Sequence, residues 1–392
     1  MTKSLKILYL SSYPPRKCGI ATFTKSLIEN ISKLDSRRRV FQKVIAINER
    51  KDIKRDYPPE VCCILEQEEL SSYEKVAQYI NKSGADFLFL QHEFGLFGGF
   101  DGVFLLELLK KIKVPVLSFF HTIPLLKSSK AREWRLKILK EITSKSKGII
   151  SPSKRGIKFL KEKFNLSSKK VFHVWHGTPS VSFANKKERA ELKRKYNLQK
   201  RFIIVTYGLL ARYKGIDWAL ESIAMLKRKY PQILYVILGE PHFLFSKQFF
   251  KDFSKDIRNK IKKLSLERFV KLNLSYLKEE EIINYLKLSD IFLAPYLTPE
   301  QISSGTLSLA LSCGCCCIAT PFVYAKEVLQ KNRGFFVPFK DREALKKVIS
   351  YIIENPKEAE KRRKKAYDFA RNLHWERVIK KILRIIDKVL KE

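Results

Sequence analysis

This sequence has few acidic residues, and its cysteines form no recognisable disulfide or metal-binding pattern. Its 392 residues include 40 Asp and Glu against 78 Lys and Arg, which gives a formal net charge of +38 at pH 7. The seven cysteines lie inside apolar runs and lack the spacing of a disulfide framework or a zinc site. These absences exclude a disulfide-stapled fold and indicate a reducing compartment, while the positive charge predicts an anionic partner.

Signals for membrane insertion and groups that hold metals are missing as well. No apolar run approaches the roughly 20 residues that span a bilayer. The N-terminal MTKSLKILYLSSYPP lacks the apolar core of a signal peptide. No Asp-x-Asp pair follows a predicted strand, and no set of His, Cys, Asp or Glu has the spacing of metal ligands. We therefore expect a cytoplasmic protein that uses no metal or other cofactor.

Short apolar runs that alternate with amphipathic stretches indicate the fold class. With 45% hydrophobic residues, the chain can bury the cores of two domains of ordinary size. The alternation is typical of parallel strands covered on both faces by crossover helices, which is an α/β fold. The first series of predicted strands is Lys6–Leu10, Val44–Ile47, Phe87–Leu90, Val114–Phe120, Gly148–Ser151 and Val171–Val174, with helices such as Ala21–Leu34 and Ser72–Asn81.

A second series of the same rhythm follows a Lys-rich helical segment, Asn185–Tyr196. We therefore predict two doubly wound Rossmann-like domains, 1–180 and 181–374, that face an interdomain cleft. The last helical pattern, about 375–392, carries an apolar stripe and is expected to return to the first domain. The second series of predicted strands is Phe202–Thr206, Leu234–Leu238, Phe269–Leu272, Ile291–Pro295 and Cys315–Ala319, the last with thiols as small buried hydrophobes.

The segment YGLLARYKGIDWALE, residues 207–221, follows a predicted strand and leads into a helix. Gly208 ends the strand and Gly215 lets the backbone turn. Arg212 and Lys214 place two cations beside the N-terminus of the helix. Backbone N–H groups, the helix dipole and these cations together predict a phosphate site. In a chain so rich in lysine, two solvated loop cations are the alternative interpretation.

A second polar loop lies in IFLAPYLTPEQISSGTLSLALSCG, residues 291–314, and runs from a strand into a helix that begins near Leu307. Its small residues allow backbone amides to approach an anion closely, and Glu300 is placed to accept hydrogen bonds from sugar hydroxyls. The alternative is an ordinary N-cap at Ser303 or Thr306. The residues predicted to bind the ligand are Ser304, Gly305, Thr306 and Leu307.

In this order, the two segments resemble the nucleotide-sugar half of the family 4 retaining glycosyltransferases, group 1 glycosyl transferases of the GT-B fold. GLLARYKGIDWAL matches the phosphate loop, with Lys214 at the family's lysine, and VILGEP matches a strand that ends in Gly239. The resemblance covers nearly the whole chain. SSYPPRKCGIATFTKSL is similar to the first strand, loop and helix with Gly19, VPVLSFFHTIP to a strand that ends in His121, and VWHGTPS to the interdomain turn.

The resemblance implies a hexosyltransferase that moves a sugar from a UDP- or GDP-linked donor to a hydroxyl acceptor and retains the anomeric configuration. It implies that 1–180 bind the acceptor and 181–374 the nucleotide sugar. The leaving diphosphate is then stabilised without a metal by Lys214, Arg212 and the amides near Gly305, together with those near Gly19.

The chain departs from the family pattern in two places. Leu209 stands where an arginine commonly follows the first glycine of the phosphate loop, and Arg212 is expected to replace that arginine in space. The family's pair of glutamates is incomplete, because the second position falls on Ser308, or on Leu309 when Gln301 is taken as the first. The carboxylate that holds the ribose in relatives is therefore missing.

Three polar residues at strand ends of the first domain are further candidates. The resemblance implies that His121 hydrogen-bonds a sugar hydroxyl or steadies charge near the anomeric carbon. In QHEFGLFGG, residues 91–99, His92 and Glu93 either bind acceptor hydroxyls or fasten a tight loop. The residues alone leave both interpretations open.

Basic residues are dense between Lys127 and Lys170. They predict either a patch on anionic lipid at the inner face of the cell membrane, suited to a lipid-linked acceptor, or a solvated helix face. No nucleic-acid-binding motif stands out, so nucleic acid is not an expected partner. Two other functions stay open: a GT-B-like binding protein without catalysis and an oligosaccharide phosphorylase. Apolar residues interspersed in the basic segment are Trp134, Leu136, Ile138 and Leu139.

Overall fold

The computed structural model describes residues 4–34, 40–125, 129–240 and 247–391. The chain divides into unit 1, Met1–Gly177 with Trp375–Glu392, and unit 2, Thr178–His374. Each unit is built on its own parallel sheet. Some residues of the segments discussed above lie outside the described residues, namely Met1, Thr2, Lys3, Lys127, Ser128, Pro241 and Glu392.

Unit 1 contains a seven-stranded parallel sheet. Its strands are β1 Leu5–Ser11, β2 Val40–Asn48, β3 Val61–Glu66, β4 Phe87–His92, β5 Val116–Phe120, β6 Ser146–Ser151 and β7 Val171–His173. They lie in the order β3-β2-β1-β4-β5-β6-β7. The order reverses between β1 and β4, and ligands of doubly wound sheets bind at the carboxyl ends beside such a switch point.

Helices alternate with these strands, and local side chains fix where two of them begin. Ser129 and Ser153 cap the fourth and fifth helices by accepting bonds from the N–H groups of Arg132 (3.2 Å) and Gly156 (3.0 Å). The helices are α1 Gly19–Leu34, α2 Leu70–Lys82, α3 Phe104–Lys111, α4 Lys130–Lys145 and α5 Lys154–Phe164, with short 3₁₀ turns at Phe94–Leu96 and Phe100–Gly102.

Unit 2 contains a six-stranded parallel sheet in the order β10-β9-β8-β11-β12-β13, which reverses between β8 and β11. Its strands are β8 Phe202–Tyr207, β9 Ile233–Leu238, β10 Val270–Asn273, β11 Ile291–Ala294, β12 Cys317–Ala319 and β13 Phe335–Phe336. Its helices are α6 Lys186–Lys195, α7 Ile216–Leu226, α8 Lys247–Lys263, α9 Glu279–Leu288, α10 Gly305–Ser312, α11 Val323–Leu329, α12 Arg342–Glu354 and α13 Pro356–Ala370, with a 3₁₀ turn at Arg212–Lys214.

The C-terminal helix α14, Trp375–Lys391, packs in unit 1 against α1. Its apolar stripe is buried, as the spacing of the isoleucines and valines predicts. Trp375 lies over Gly177, where an added Cβ would be 2.2 Å from the indole ring. The Trp375 ring also lies 5.4 Å from the ring of Phe23 on α1. Burial of this stripe fastens the end of the chain to unit 1.

The two predicted Rossmann-like sheets are confirmed, with two strands that the sequence did not reveal. The strand β3 is a half-exposed edge strand, and β13 has two residues. The sequence analysis did not assign the apolar run VCCIL of β3 to a strand, and β13 is too short to give a pattern. The cysteine prediction is corrected in part, because Cys315 and Cys316 are buried in the turn before β12 and only Cys317 lies in it.

The Lys-rich helix α4 turns its apolar residues inward. Leu136, Ile138 and Leu139 are buried, so these side chains are not available to a lipid surface. Trp134 is partly buried and its Nε1 donates to the carbonyl of Phe100 at 3.3 Å. What α4 presents outward is charge.

Candidate functional site

Two glycines meet at the carboxyl ends of β8 and β9 in unit 2. Gly208 and Gly239 have φ angles of +131° and +124°, and a Cβ on Gly239 would lie 2.1 Å from the carbonyl oxygen of Gly208. A side chain at Gly239 is therefore excluded by backbone as well as by conformation. A Cβ on Gly208 would lie 2.9 Å from Cγ2 of Thr306, which places the start of α10 beside this strand end.

Lys214 is held in a tight turn between β8 and α7. Gly215 has a φ angle of +69°, and a Cβ there would lie 1.9 Å from the carbonyl oxygen of Pro295. The N–H of Leu297 donates to the carbonyl of Tyr213 at 2.7 Å, so the turn is fastened to the chain after β11. Lys214 is 7% exposed, and its Nζ lies 3.9 Å from the centre of the Tyr296 ring. The side chain is thus buried and its ammonium faces an aromatic surface.

Arg212, the other cation predicted for the phosphate site, has a different environment. Its side chain is 61% exposed, and Nη2 donates to Oδ2 of Asp256 on α8 at 2.7 Å. The guanidinium is therefore paired with a carboxylate. Contact between Arg212 and a diphosphate requires that this exposed ion pair open, which costs little because exposed pairs stabilise by at most about 1 kcal/mol.

The N-terminus of α10 lies beside this lysine. Tyr296 Oη and Thr306 Oγ1 are 2.6 Å apart, so the ring beneath Lys214 is bonded to the first turn of α10. The N-cap is Ser304, not Ser303 or Thr306, and its hydroxyl accepts the N–H of Leu307 at 3.2 Å. The amide of Leu307, which was predicted to contact the anion, is therefore already hydrogen-bonded within the chain. The N–H groups of Gly305 and Thr306 have no acceptor among the described residues.

Glu300 lies in the loop between β11 and α10, partly buried. Backbone bonds on either side hold that loop to α11: the N–H of Val323 donates to Pro299 O and that of Tyr324 to Gln301 O, both at 3.0 Å. The two alternatives for the second glutamate are both buried and uncharged. Ser308 hydrogen-bonds Tyr324 Oη at 2.6 Å, and Leu309 is apolar.

In unit 1, Gly19 begins α1 after the loop that follows β1. Gly19 is exposed, and an added Cβ would meet no atom within 4 Å. The loop is fixed from below by Arg16, which is buried and donates from Nη1 to the carbonyl of Ile47 at 2.9 Å. Its Nε lies 3.3 Å from Oε2 of Glu49. The N-terminus of α1 is thus presented at the carboxyl edge of the sheet.

His121 follows β5 and is almost fully buried. Its Nε2 donates to Oε1 of Gln91 at 2.8 Å, and its ring lies 5.1 Å from that of Phe23 and 4.7 Å from that of Phe119. Burial first, and the neighbouring His176 second, lower the pKa of His121 well below its usual range. His121 is therefore neutral at physiological pH. A neutral imidazole suits hydrogen bonding to a hydroxyl better than proton transfer.

His92 and Glu93, the predicted acceptor contacts, are placed differently from one another. The His92 ring is 1% exposed, and the rings of Phe94 and Phe120 lie 4.9 and 5.3 Å away. The ring of His92 is therefore enclosed by aromatic side chains in this structure. Glu93 Oε2 accepts the N–H of Gly95 at 2.8 Å, which favours the loop-fastening interpretation for that carboxylate.

Sequence reasoning missed Tyr296, Gln91 and Asp256. Tyr296 stands in the loop after β11, but nothing in the sequence shows that its ring lies under Lys214. Gln91 belongs to the same polar run as His92, and β4 and β5 are adjacent strands. A hydrogen bond between Gln91 and His121 could therefore have been predicted from the strand order. The Asp256 pair joins α8 to the phosphate loop and needs the tertiary fold.

Within the described residues, no group of three or more His, Cys, Asp or Glu side chains is arranged to hold a metal ion. In that same part of the chain, no helix has the length and apolar character needed to cross a bilayer. The cysteines are free thiols, and burial raises the pKa of Cys315 to about 11 and that of Cys316 to about 12.

Comparison with known proteins finds a family match within unit 2. Residues 188–369 match the model of the family described as glycosyl transferases group 1, which confirms the resemblance to group 1 glycosyl transferases that the sequence indicated. No curated protein matches the sequence significantly.

Solved structures share the whole fold. Sucrose-phosphate synthase from Thermosynechococcus elongatus has a TM-score of 0.79 at 16% identity, with 99% of each chain covered. The Anabaena protein HepE, in complex with UDP and glucose, has a TM-score of 0.75 at 14% identity and covers 98% of this chain and 99% of its own. A glycosyltransferase from Rickettsia africae has a TM-score of 0.75 at 18% identity with full coverage of both chains. The chain therefore has the GT-B fold.

Proposed function

We propose that the chain is a retaining, metal-independent hexosyltransferase that moves a sugar from a UDP- or GDP-linked donor to a hydroxyl acceptor. One observation carries the proposal: Lys214 and the first turn of α10 meet through Tyr296 and Thr306 at the carboxyl edge of the unit 2 sheet. A cation and a helix N-terminus in this position stabilise a diphosphate. The complex of the similarly folded HepE with UDP and glucose supports this choice of donor.

In bond cleavage, unit 2 stabilises charge on the departing diphosphate. Lys214 supplies an ammonium on a buried side chain, where its attraction for phosphate oxygens is stronger than in open water. The N–H groups of Gly305 and Thr306 supply fixed dipoles that need no reorganisation. Arg212 adds a second cation when it exchanges Asp256 for a phosphate oxygen.

The donor sugar is oriented by Glu300, whose carboxylate accepts hydrogen bonds from sugar hydroxyls. The loop bonds on both sides of Glu300 support this role, because they fix the backbone that carries it. At the ribose end, Ser308 and Leu309 offer no carboxylate. Glu300→Gln is therefore expected to reduce discrimination among donor sugars more than affinity for the nucleotide.

Transfer with retention makes and breaks its bonds on one face of the sugar. The acceptor oxygen bonds to the anomeric carbon as the bond from that carbon to the diphosphate oxygen breaks, and the acceptor proton passes to that oxygen. No protein base is required. We assign acceptor binding to unit 1, where the neutral His121 hydrogen-bonds a sugar hydroxyl and the N-terminus of α1 near Gly19 faces the ligand edge of the sheet.

The proposal is tested by measuring nucleotide release, in the presence of EDTA, from a panel of UDP- and GDP-linked hexoses incubated with hydroxyl acceptors. The proposal predicts turnover, with an α-configured product from an α-configured donor by NMR. Binding of nucleotide sugars without transfer or donor hydrolysis would instead indicate a binding protein. Turnover that depends on inorganic phosphate would indicate an oligosaccharide phosphorylase.

A lipid-linked acceptor and a peripheral place at the inner membrane face belong to the same proposal. Their support is the outward charge of α4, since its apolar residues face the core. Co-sedimentation with phosphatidylserine vesicles tests it. Binding that does not depend on anionic lipid would contradict this part of the proposal.

A further inference from the structure

An open groove of about 920 Å³ runs along α14 beside β7 in unit 1. Its floor contains Phe172, from β7, and the buried Ile385. Its lining face of α14 presents five cations and one acidic residue, Glu376. The cations are Arg377, Lys380, Lys381, Arg384 and Lys388.

The cations repeat at the spacing of helical turns. Lys380, Arg384 and Lys388 follow one another at i, i+4, and a second pair stands beside them. Like charges at this spacing destabilise a helix. Cations in the first half of the helix also oppose its dipole. Burial of the apolar stripe of α14 offsets these unfavourable terms, but it does not explain why cations stand at these positions.

Neutralisation within the groove is incomplete. Glu376 is bonded to Lys380 at 2.5 Å. Lys381 and Arg384 have no carboxylate partner in the described part of the chain. Lys388 lies 5.4 Å from the centre of the Phe172 ring. The groove therefore retains an excess of positive charge above an aromatic and aliphatic floor.

More positive charge adjoins the groove at the carboxyl edge of the sheet. Lys154 begins α5, and its Nζ lies 5.5 Å from the centre of the Trp175 ring. Burial first, and the charge of Lys154 second, lower the pKa of Lys381. An anion near Lys381 would relieve this repulsion.

The groove begins next to the residues assigned to acceptor binding. Trp375, the first residue of α14, packs against Phe23 at 5.4 Å, and Phe23 packs against His121 at 5.1 Å. From there α14 runs for 17 residues, about 25 Å at 1.5 Å per residue. A chain lying in the groove would thus extend away from the acceptor residues of the same unit.

We propose that this groove binds an extended anionic saccharide chain, one whose sugar units carry carboxylate, sulfate or phosphate groups. The inference rests on the proposed function, because it makes the bound chain the remote part of an acceptor. Rows of cations one helical turn apart match charges repeated along a linear polymer, and Phe172 and Ile385 pack against the carbon faces of sugar rings. The lining face has no exposed apolar side chain for bilayer insertion and no row of aromatics for base stacking.

The test measures binding of alginate oligosaccharides by titration calorimetry, with neutral dextran oligosaccharides as the comparison. The groove variant is Lys381→Gln/Arg384→Gln/Lys388→Gln. The matched control is Lys357→Gln/Lys361→Gln/Lys364→Gln on α13, which removes the same charge from exposed positions of unit 2. We expect alginate affinity to fall about tenfold in the groove variant, as three contacts of about 0.5 kcal/mol each imply, and to stay within about twofold in the control.

Equal losses in both variants would show an effect of net charge alone and would overturn the proposal. Equal affinity for dextran and alginate, or no binding of alginate at all, would also overturn the proposal. The proposal would likewise fail if the groove variant lost binding only to duplex DNA or to phosphatidylserine vesicles. Unfolding midpoints of all variants establish that they fold. The binding assay contains no donor sugar, so its result is independent of the proposed transferase activity. Turnover without alginate binding would contradict only the groove proposal. Alginate binding without any turnover would contradict only the proposed transferase activity.

Discussion

The ammonium of Lys214 lies 3.9 Å from the ring centre of Tyr296, whose hydroxyl is 2.6 Å from that of Thr306. This relationship joins two loops that are distant in the sequence but follow adjacent strands, β8 and β11. An ammonium over an aromatic face gains about 0.5–2 kcal/mol, which helps to hold the Lys214 side chain in its buried position. The site therefore holds its cation in place before any ligand arrives.

Replacement of this cation should affect turnover strongly. We expect Lys214→Ala to lower kcat by a factor of roughly 10²–10³, the effect of removing one preorganised stabilising group. Arg212→Ala should reduce kcat less, because its guanidinium is exposed and shared with Asp256. Steady-state kinetics of the two variants measure the difference. A larger loss for Arg212→Ala would reverse the roles assigned to the two cations.

Removal of the Asp256 carboxylate, which competes for Arg212, tests whether Arg212 contacts the diphosphate. Asp256→Asn keeps the shape of the side chain and removes the charge that pairs with Arg212. Exposed ion pairs are worth about 0.2–1 kcal/mol, so affinity for nucleoside diphosphates should rise up to about fivefold. The same substitution in an Arg212→Ala background should have no effect. A gain that persists there would mean that Arg212 does not contact the diphosphate.

The two glycines at the strand ends should differ in how they tolerate a methyl group. Gly239→Ala places Cβ 2.1 Å from the carbonyl oxygen of Gly208, and no side-chain change relieves this contact. Gly208→Ala places Cβ 2.9 Å from the Thr306 methyl group, which Thr306→Ser removes while keeping a hydroxyl for Tyr296. We expect chemical denaturation to show recovery of stability for Gly208→Ala/Thr306→Ser over Gly208→Ala alone. Thr306→Ser should not rescue Gly239→Ala.

Acid should destabilise unit 1 through its buried histidines. Burial lowers the pKa of His92 and His173 to about 3, that of His176 to about 4, and that of His121 well below 6.5. As pH falls from 6.5 toward 4, the unfolded chain takes up these protons and the folded chain does not. The free energy of unfolding then falls by about 1.4 kcal/mol per pH unit for each histidine.

Glu93 acts in the opposite sense, because burial raises its pKa and the folded state holds that proton to higher pH. One opposing group does not cancel four. Urea denaturation at pH 7 and pH 5 measures the net change in the free energy of unfolding. The variant His173→Gln, which lies outside the proposed site, should reduce the dependence of this free energy on pH. Equal stability at both pH values would contradict the neutral histidines.

The sequence predicted most of the fold because central parallel strands are continuous apolar runs, as at Phe87–Leu90 and Leu234–Leu238. It also singled out Lys214 as a candidate, since a lysine followed by Gly215 before a helix predicts an anion site. It did not identify Tyr296 as the support of that lysine, because the contact arises only when β8 and β11 become neighbours. The burial of His92 likewise depends on rings from two segments, Phe94 and Phe97 in the loop after β4 and Phe120 at the end of β5.

The most direct test of the central claim compares affinities for UDP and UMP, and for GDP and GMP, by calorimetry in EDTA. If Lys214 and the N-terminus of α10 bind the second phosphate, one of these diphosphates should bind about ten- to a hundredfold more tightly than its monophosphate, as charge-assisted bonds imply. Lys214→Ala should remove that preference, and Lys229→Ala, an exposed lysine of the same unit, should keep it. Equal affinity for diphosphate and monophosphate, or a preference unchanged in Lys214→Ala, would contradict the account.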